Sequence, residues 1–213
     1  MTYLFFIHSN ITMNIFFLSW IIEHCAQYHC SKHVCKMILE TTQLLSTSHH
    51  VTNSGKAEQW LLEGHIYRKT HPNHPCSIWL RECQENYIWL CQLGLALCEE
   101  YAYRYDKRAS DHKCHQKLVF LSQNIPPLVS LGNITMPKLA MPDQYKTEDP
   151  VLSYRMYYLN EKARMLVWHK REPPAWVPNN FRIIHYQTEI ARLNKLKQYT
   201  KAEEIRQLLS LIN

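Results

Sequence analysis

The sequence predicts a mainly α-helical protein: a single-domain helical bundle with a short N-terminal strand and a C-terminal helical hairpin. Its 213 residues are enough for one full hydrophobic core but too few for two large domains. Hydrophobic residues make up 46% of the chain and only four residues are glycine, which disfavours both disorder and a turn-rich β protein. Apolar residues also recur at helical spacing over most of the chain.

The first predicted element is a buried strand at MNIFFLSW, residues 13–20. Residues 1–22 are apolar, but they lack the basic start and the small-residue cleavage site of a signal peptide. Polar residues also interrupt the apolar run, which disfavours a membrane span. The sequence leaves open whether Met1 or Met13 is the first residue. If it is Met13, residues 1–12 are an upstream extension.

A long helix is predicted next, from Glu23 to about His50. Apolar residues at helical spacing give it a core face. Polar residues at alternating steps of four and three form a second face, which we call the polar stripe. The polar stripe consists of His29, His33, Lys36, Glu40, Gln43, Thr47 and His50. Both a water-exposed helix face and the working surface of an enzyme are consistent with this pattern.

The following segment, residues 51–73, is predicted to be a connection with Gly55 and Gly64 as breakers and at most one short helical turn. A second long helix then begins near Pro75, where proline fits the first helical turn. It extends through residues 75–108, and its apolar side chains fill one broad face.

The later elements are a short third helix, a loop and a fourth long helix. The third helix is expected around residues 110–122. Five prolines within residues 124–150 then predict an irregular crossover that wraps the surface. The fourth helix is expected from about Pro150 to Lys170, before the prolines at 173 and 174.

The last segment, residues 179–213, is rich in Lys, Arg, Glu and Leu and is predicted to be a helical hairpin beside a helical domain of residues 13–178. Its stretch YTKAEEIRQLLSLI resembles the second half of a helical hairpin in nucleotide-excision-repair proteins, which mediates protein contacts. The tail is therefore either a site for a protein partner or a solvated helix pair.

The charge and cysteine content indicate the partner and the compartment. A formal net charge of +6 and thirteen histidines favour a polyanionic partner, and no membrane partner is expected. The eight cysteines include no CxxC pair, and several lie at helical spacing among apolar residues. We therefore expect reduced thiols in an intracellular, reducing compartment.

A second histidine-bearing segment, THPNHPCSIWLRE, precedes and begins the helix at Pro75. His71 and His74 lie just before the helix start, where free amide groups attract a phosphate or carboxylate, and Arg81 follows two turns later. Simple helix capping is the alternative. A zinc site formed by His29 and His33 with His71 or His74 is a further alternative, although no HExxH motif is present.

Basic residues alternate with aromatic ones in YRMYYLNEKARMLVWHKREPPAW and in EEYAYRYDKR. This mixture suits phosphate contacts combined with base stacking, although aromatic residues at helical spacing are more often core. The candidate DNA-binding residues are Arg104, Arg155, Lys162, Trp168, Lys170 and Arg171. No P-loop, dinucleotide-binding glycine motif, GxSxG elbow or kinase motif is present, which disfavours ATP hydrolysis and dinucleotide redox chemistry.

Seven segments of the chain resemble a group of small proteins of phages and large DNA viruses that are often labelled pyrimidine-dimer DNA glycosylases. These segments are MNIFFLSW, YHCSKHVCKMILETTQLLSTSHH, THPNHPCSIWLRE, NYIWL, LCEEYAYRY, AMPDQYK and YRMYYLNEKARMLVWHKREPPAW. The resemblance covers Met13 to Trp176 and is specific in motif order. It implies an intracellular enzyme of a virus-infected host cell that excises a damaged pyrimidine from duplex DNA and then cleaves the strand, without a cofactor or metal.

The resemblance also implies site residues. Lys32 or Lys36 would be the amine that attacks the sugar, Glu40 the assisting carboxylate, and His29 and His33 proton carriers. The sequence departs from the family pattern in having Ser31 where the family has Asp. The phage dimer glycosylases use their N-terminal amine, and in a chain that starts at Met1 this amine would lie twelve residues before Met13.

Two other functions remain open from the sequence. A non-catalytic nucleic-acid-binding or virion-associated protein would use the polar stripe structurally and would bind DNA without preference for lesions. A histidine-ligated metal phosphohydrolase is the weaker alternative.

Overall fold

The computed structural model describes residues 14–212, and within this range the chain forms α-helices and no β-strand. The mainly α prediction is thereby confirmed. The helices are α1 (Ile22–Tyr28), α2 (Ser31–Thr52), α3 (Ser54–Leu62), α4 (Pro75–Leu80), α5 (Gln84–Tyr105), α6 (His115–Gln123), α7 (Pro150–Glu161), α8 (Asn179–Lys195) and α9 (Tyr199–Ser210). Short 3₁₀ turns lie at Ala109–Asp111, Asp143–Tyr145 and Ala163–Met165.

The strand predicted at residues 13–20 is not formed in its described part, residues 14–20. This segment is buried, but its backbone groups bond to side chains rather than to another strand. Arg155 Nε donates to the carbonyl of Leu18 at 2.9 Å, and Cys25 Sγ donates to the carbonyl of Phe16 at 3.3 Å. Side chains thus satisfy the buried backbone without a sheet. Residues 1–12, interpreted above as an extension, lie outside the described residues.

Aromatic packing holds the segment in the core. Phe17 stacks on Trp89 with ring centroids 4.3 Å apart and meets the edge of Trp79 at 5.2 Å. Phe16 lies against Tyr158 at 5.2 Å. We refer to Phe17, Trp79 and Trp89 as the aromatic stack. It ties the segment before α1 to α4 and α5.

The long helix expected from residue 23 to residue 50 is two helices, α1 and α2, separated at His29 and Cys30. The Cys30 N–H donates to the Tyr158 hydroxyl at 2.8 Å, and the Ser31 N–H donates to the Val167 carbonyl at 2.8 Å. Arg104 from α5 donates to the carbonyls of Gln27 and His29 at 2.8 Å each. These contacts replace the helical hydrogen bonds that the break removes.

The centre of the bundle is the packing of α2 against α5, with α6 covering the crossing. Gly94 of α5 lies at this crossing, and a methyl group at its Cα would be 2.8 Å from Leu118 of α6 and 2.9 Å from Thr41 of α2. The absence of a side chain at residue 94 therefore sets how closely the three helices approach.

Three other predicted elements have different bounds in the structure. The connection after α2 contains the nine-residue helix α3 rather than a single turn. The helix expected from Pro75 is interrupted between α4 and α5, and the helix expected to reach Lys170 ends at Glu161. At the C-terminal end, α8 and α9 pack against each other as the expected hairpin, with Lys197 in the left-handed region at φ 58°. No helix of residues 14–212 is long and apolar enough to cross a membrane.

Candidate functional site

Glu40, a predicted catalytic residue, is a buried carboxylate on α2 with polar partners on both oxygens. Its Oε1 lies 3.1 Å from Lys36 Nζ, one helical turn away, and its Oε2 accepts the backbone N–H of Asn14 at 3.1 Å. Glu40 is 5% exposed, and burial raises the pKa of its carboxyl group above the usual value although Asn14 and Lys36 oppose the rise. Lys36 and Glu40 therefore form an ion pair, with Glu40 on the protein side and Lys36 facing solvent.

Asn14 fixes the first described segment against this carboxylate. Its side-chain amide donates to the Ala140 carbonyl at 2.9 Å, while its Oδ1 accepts from Cys76 and from the Tyr154 hydroxyl, each at 3.3 Å. One residue thus joins α2, the start of α4, α7 and the proline-rich loop. No local sequence pattern marks Asn14, because its partners lie far away along the chain.

Lys162 is the second amine at this site. It follows the last residue of α7, its Nζ lies 5.5 Å from the centre of the Tyr157 ring, and its charge acts on both Lys36 and Glu40. Burial, and after it the neighbouring Lys36, lowers the pKa of the Lys162 amine. The sequence predicted Lys162 as a phosphate contact. Its proximity to Glu40 arises from the tertiary fold, because the two residues lie far apart along the chain.

His33 and His29 lie on the inner side of the same cluster. Both are nearly inaccessible, and burial lowers the pKa of His33 to about 2 and that of His29 to about 4. His29 Nδ1 lies 2.7 Å from the Cys25 carbonyl, so Nδ1 carries the hydrogen and the unpartnered Nε2 is the free base. His33 contacts the Phe16 and Tyr158 rings, and its Nδ1 has no hydrogen-bond partner among residues 14–212. Because both imidazoles are neutral and enclosed, they form the buried wall of the site and are not exposed to a ligand.

Lys32 is exposed one turn before Lys36 and faces a cavity of about 420 Å³ between α2, the 3₁₀ turn after Lys162, and α8. Met165, Leu166 and Phe181 line the cavity, and Arg164 lies at its rim. Within residues 14–212, neither Lys32 nor Arg164 has an ion-pair partner. Lys32 lies one turn before Lys36 on α2. Arg164 lies two residues after Lys162, so each of the two segments that carry the amines adds a second cation. Arg164 was not among the predicted residues, although the motif NEKARM contains it.

The second half of the polar stripe is covered by protein. Thr47 accepts the Thr70 N–H at 3.1 Å and donates to the Thr70 carbonyl at 3.0 Å. His50 Nε2 bonds to the Tyr67 carbonyl at 2.9 Å. The polar stripe is thus neither a wet face nor one continuous working surface. Its first half reaches the site and its second half anchors the connection after α3.

At the predicted anion site, His74 caps the N-terminus of α4. His74 Nδ1 accepts the Cys76 N–H at 3.2 Å, as the capping alternative requires. Arg81 turns back and donates to Ser77 Oγ and to the Pro72 carbonyl, each at 2.7 Å. His71 is exposed in the left-handed region at φ 46°. The guanidinium of Arg81 therefore stabilises the loop before α4 and does not lie over the helix start.

Two predicted DNA-binding residues are enclosed by the fold. Arg104 is 2% exposed and bonds to Glu100, Ser31 and the carbonyls at the α1–α2 break. Trp168 is 0% exposed, and its Nε1 donates to the Tyr28 carbonyl at 2.9 Å. Burial leaves neither side chain a face for DNA, which corrects the prediction for both.

The other three predicted cations have structural partners. Arg155 lies between the Tyr28 and Trp176 rings, 5.6 and 5.2 Å from their centres. Arg171 holds Glu100 through two hydrogen bonds of 3.0 and 2.8 Å, and Lys170 pairs with Asp106. All three lie away from Glu40, so the structure does not bring them together with the catalytic candidates.

The metal alternative lacks a geometric basis in residues 14–212, where no group of three or more His, Cys, Asp or Glu side chains is placed to hold a metal ion. All eight cysteines fall within this range, and all are free thiols. Burial raises the pKa of Cys25, Cys76, Cys91 and Cys98 to about 11 or 12, which keeps these thiols protonated and unreactive.

Comparisons of the chain with protein-family models, with curated proteins and with solved structures gave no match.

Proposed function

We propose that the protein is a DNA glycosylase and abasic-site lyase that acts on damaged pyrimidines in duplex DNA through an amine nucleophile and the carboxylate of Glu40. The observation that carries the proposal is the burial of Glu40 in an ion pair with Lys36, at a position where the charge of Lys162 also acts on the carboxylate. A lyase of this kind needs an amine to form a Schiff base with the sugar and a nearby base to move a proton.

The state of Glu40 suits proton transfer. A carboxyl group with a raised pKa binds and releases a proton more readily near neutral pH than an ordinary surface glutamate does. The contacts from Lys36 and the Asn14 N–H hold both carboxylate oxygens in fixed directions. Glu40 is therefore the group to which we assign proton abstraction from the sugar.

The charge around Glu40 supports a polyanionic substrate. Lys32 and Arg164 line one cavity and have no carboxylate partner among the described residues. Lys32 lies one helical turn before Lys36, and Arg164 lies two residues after Lys162. Such unpaired cations favour phosphate contacts, which would place a DNA backbone across the entrance to Glu40.

The proposal is tested with duplex oligonucleotides that contain either a pyrimidine dimer or an abasic site. Borohydride should reduce the Schiff base and trap a covalent protein–DNA complex. Glu40→Gln should slow strand cleavage by about 10²- to 10⁴-fold, the usual contribution of a general acid or base. Glu204→Gln on the exposed side of α9 is the matched control and should cleave like the wild type.

The wild-type protein must form the trapped complex if the proposal is correct. Salt-sensitive binding to undamaged and damaged duplexes with equal affinity, without trapping or cleavage, would instead identify a non-catalytic nucleic-acid-binding protein.

A further inference from the structure

We propose that Lys162, at the end of α7, is the amine that attacks the sugar, while Lys36 serves to position Glu40. This inference rests on the proposed function, and it reassigns a residue that the sequence marked as a phosphate contact. Two differences between Lys36 and Lys162 support this inference: their ion pairing and their burial.

Lys36 is engaged as an ion-pair partner. Its ammonium lies 3.1 Å from Glu40 Oε1, while its side chain is 58% exposed. The ion pair holds this ammonium against the carboxylate rather than leaving it free for an incoming sugar. Lys36 is therefore suited to orienting the carboxylate and to neutralising a phosphate.

The surroundings of Lys162 differ from those of Lys36. It is half-buried, and no carboxylate in residues 14–212 lies within ion-pair distance of its Nζ. The neighbouring Glu161 accepts the Tyr145 hydroxyl at 2.8 Å instead. The Tyr157 ring lies with its centre 5.5 Å from Nζ and packs the amine without accepting a proton from it.

The groups facing Lys162 decide how readily it loses its proton. Burial has the largest effect and Lys36 the next, and both lower the pKa of the amine, while Glu161 and Glu40 oppose them. His33 also faces this space, but it is neutral and adds no charge. A larger fraction of Lys162 than of an exposed lysine is therefore unprotonated near neutral pH.

The chemical step follows from this placement. The Lys162 Nζ lone pair attacks C1′ of the ring-opened abasic sugar, and loss of water leaves an iminium ion. Glu40 then removes a proton from C2′, and the electron pair of that C–H bond expels the 3′ phosphate as the C3′–O bond breaks. Water adds to the iminium carbon, which releases free Lys162 and an unsaturated aldehyde on the 5′ fragment.

The test is to find which amine becomes attached to DNA. Wild-type protein is reduced with borohydride in the presence of duplex containing an abasic site, digested, and sequenced by mass spectrometry. The deoxyribose adduct should lie on Lys162. Lys162→Arg should abolish the adduct, whereas Lys195→Arg, an exposed lysine on α8, should leave it unchanged.

A second measurement does not require catalysis. Competitive labelling of the wild-type lysines with an amine-reactive reagent, followed over pH, should show that Lys162 reacts at a lower pH than Lys195. This measurement remains decisive if Lys162→Arg fails to fold.

The outcomes separate the two proposals. An adduct on Lys32, on Lys36 or on the N-terminal amine would overturn the assignment of Lys162 while upholding the lyase. Labelling of Lys162 at or above the pH at which Lys195 reacts would also overturn it. Absence of any trapped complex with the wild-type protein would overturn the proposed function and this inference together.

Discussion

Gly94 shows how one residue can determine the packing of a bundle. It lies inside α5, where a methyl group would be 2.8 Å from Leu118 and 2.9 Å from Thr41. Both neighbours are buried, and the branched side chain of Thr41 has little rotational freedom in a helix. The approach of α2, α5 and α6 therefore depends on the missing side chain.

We expect Gly94→Ala to destabilise the protein by about 1 to 3 kcal/mol because overpacking outweighs the better helix propensity of alanine. The free energy of unfolding in urea is the measurement. Gly55→Ala in α3 is the control, since nothing lies within 4 Å of the added methyl group, and it should be neutral or stabilising. Equal stability of the two variants would mean that the crossing is looser than described.

Local spacing accounts for one contact of the candidate site. Lys36 and Glu40 are four apart on one helix, and their pairing follows from helix geometry. The role of Asn14 did not follow, because it lies 26 residues from Glu40 in sequence and its contact depends on the tertiary fold. The sequence did not reveal the burial of Trp168 either, because an aromatic residue at helical spacing fits both core and surface roles.

At the scale of elements, the break between α1 and α2 depends on one buried arginine. Arg104 bonds to two carbonyls before the break, to Ser31 after it and to Glu100 on its own helix. Removing the guanidinium would leave these carbonyls without partners, and the buried Glu100 would keep only Arg171.

Arg104→Ala should therefore lower the free energy of unfolding by about 3 to 5 kcal/mol, the usual result of removing one partner of a buried ion pair. Arg108→Ala is the control, because Arg108 is 84% exposed and pairs only with Asp111 at the surface. Chemical denaturation measures the free energy of unfolding of both variants. If Arg104→Ala keeps wild-type stability and loses only DNA affinity, the original assignment of Arg104 as a DNA contact is correct.

The helices themselves were largely predictable from apolar spacing, whereas their interruptions were not. Neither the break at His29 and Cys30 nor the one between α4 and α5 contains glycine or proline. The first break is held by partners distant in sequence, Tyr158, Val167 and Arg104. The expected strand failed for a related reason: an apolar run shows burial, but it does not show whether another strand is available to pair with it.

At the scale of the whole molecule, buried histidines make the fold sensitive to acid. Burial lowers the pKa of His29, His49 and His185 to about 4 and that of His33 to about 2, from 6.5 when the chain is unfolded. Between pH 6.5 and about 4 the unfolded chain binds protons that the folded chain does not. Stability is therefore fully present above pH 6.5 and is lost as the pH falls below it.

We expect the free energy of unfolding to decrease by up to about 1.4 kcal/mol per pH unit for each such histidine. Urea unfolding at pH 7.5, 6.5, 5.5 and 4.5 measures this slope. His33→Gln should reduce the slope, and His24→Gln, at an exposed position, should not. The raised pKa of Glu40 acts in the opposite direction, but it is one group against four histidines. A flat profile would therefore mean that the histidines are more accessible than described.

The aromatic stack has a practical consequence for following the site in solution. Phe17 belongs to the same segment as Asn14, which contacts Glu40, and its ring lies against Trp89 and close to Trp79. Indoles in a fixed asymmetric environment give near-ultraviolet circular dichroism, which disappears when tertiary packing is lost while helices persist. The protein thus carries an intrinsic optical reporter of whether the segment that contacts Glu40 is docked.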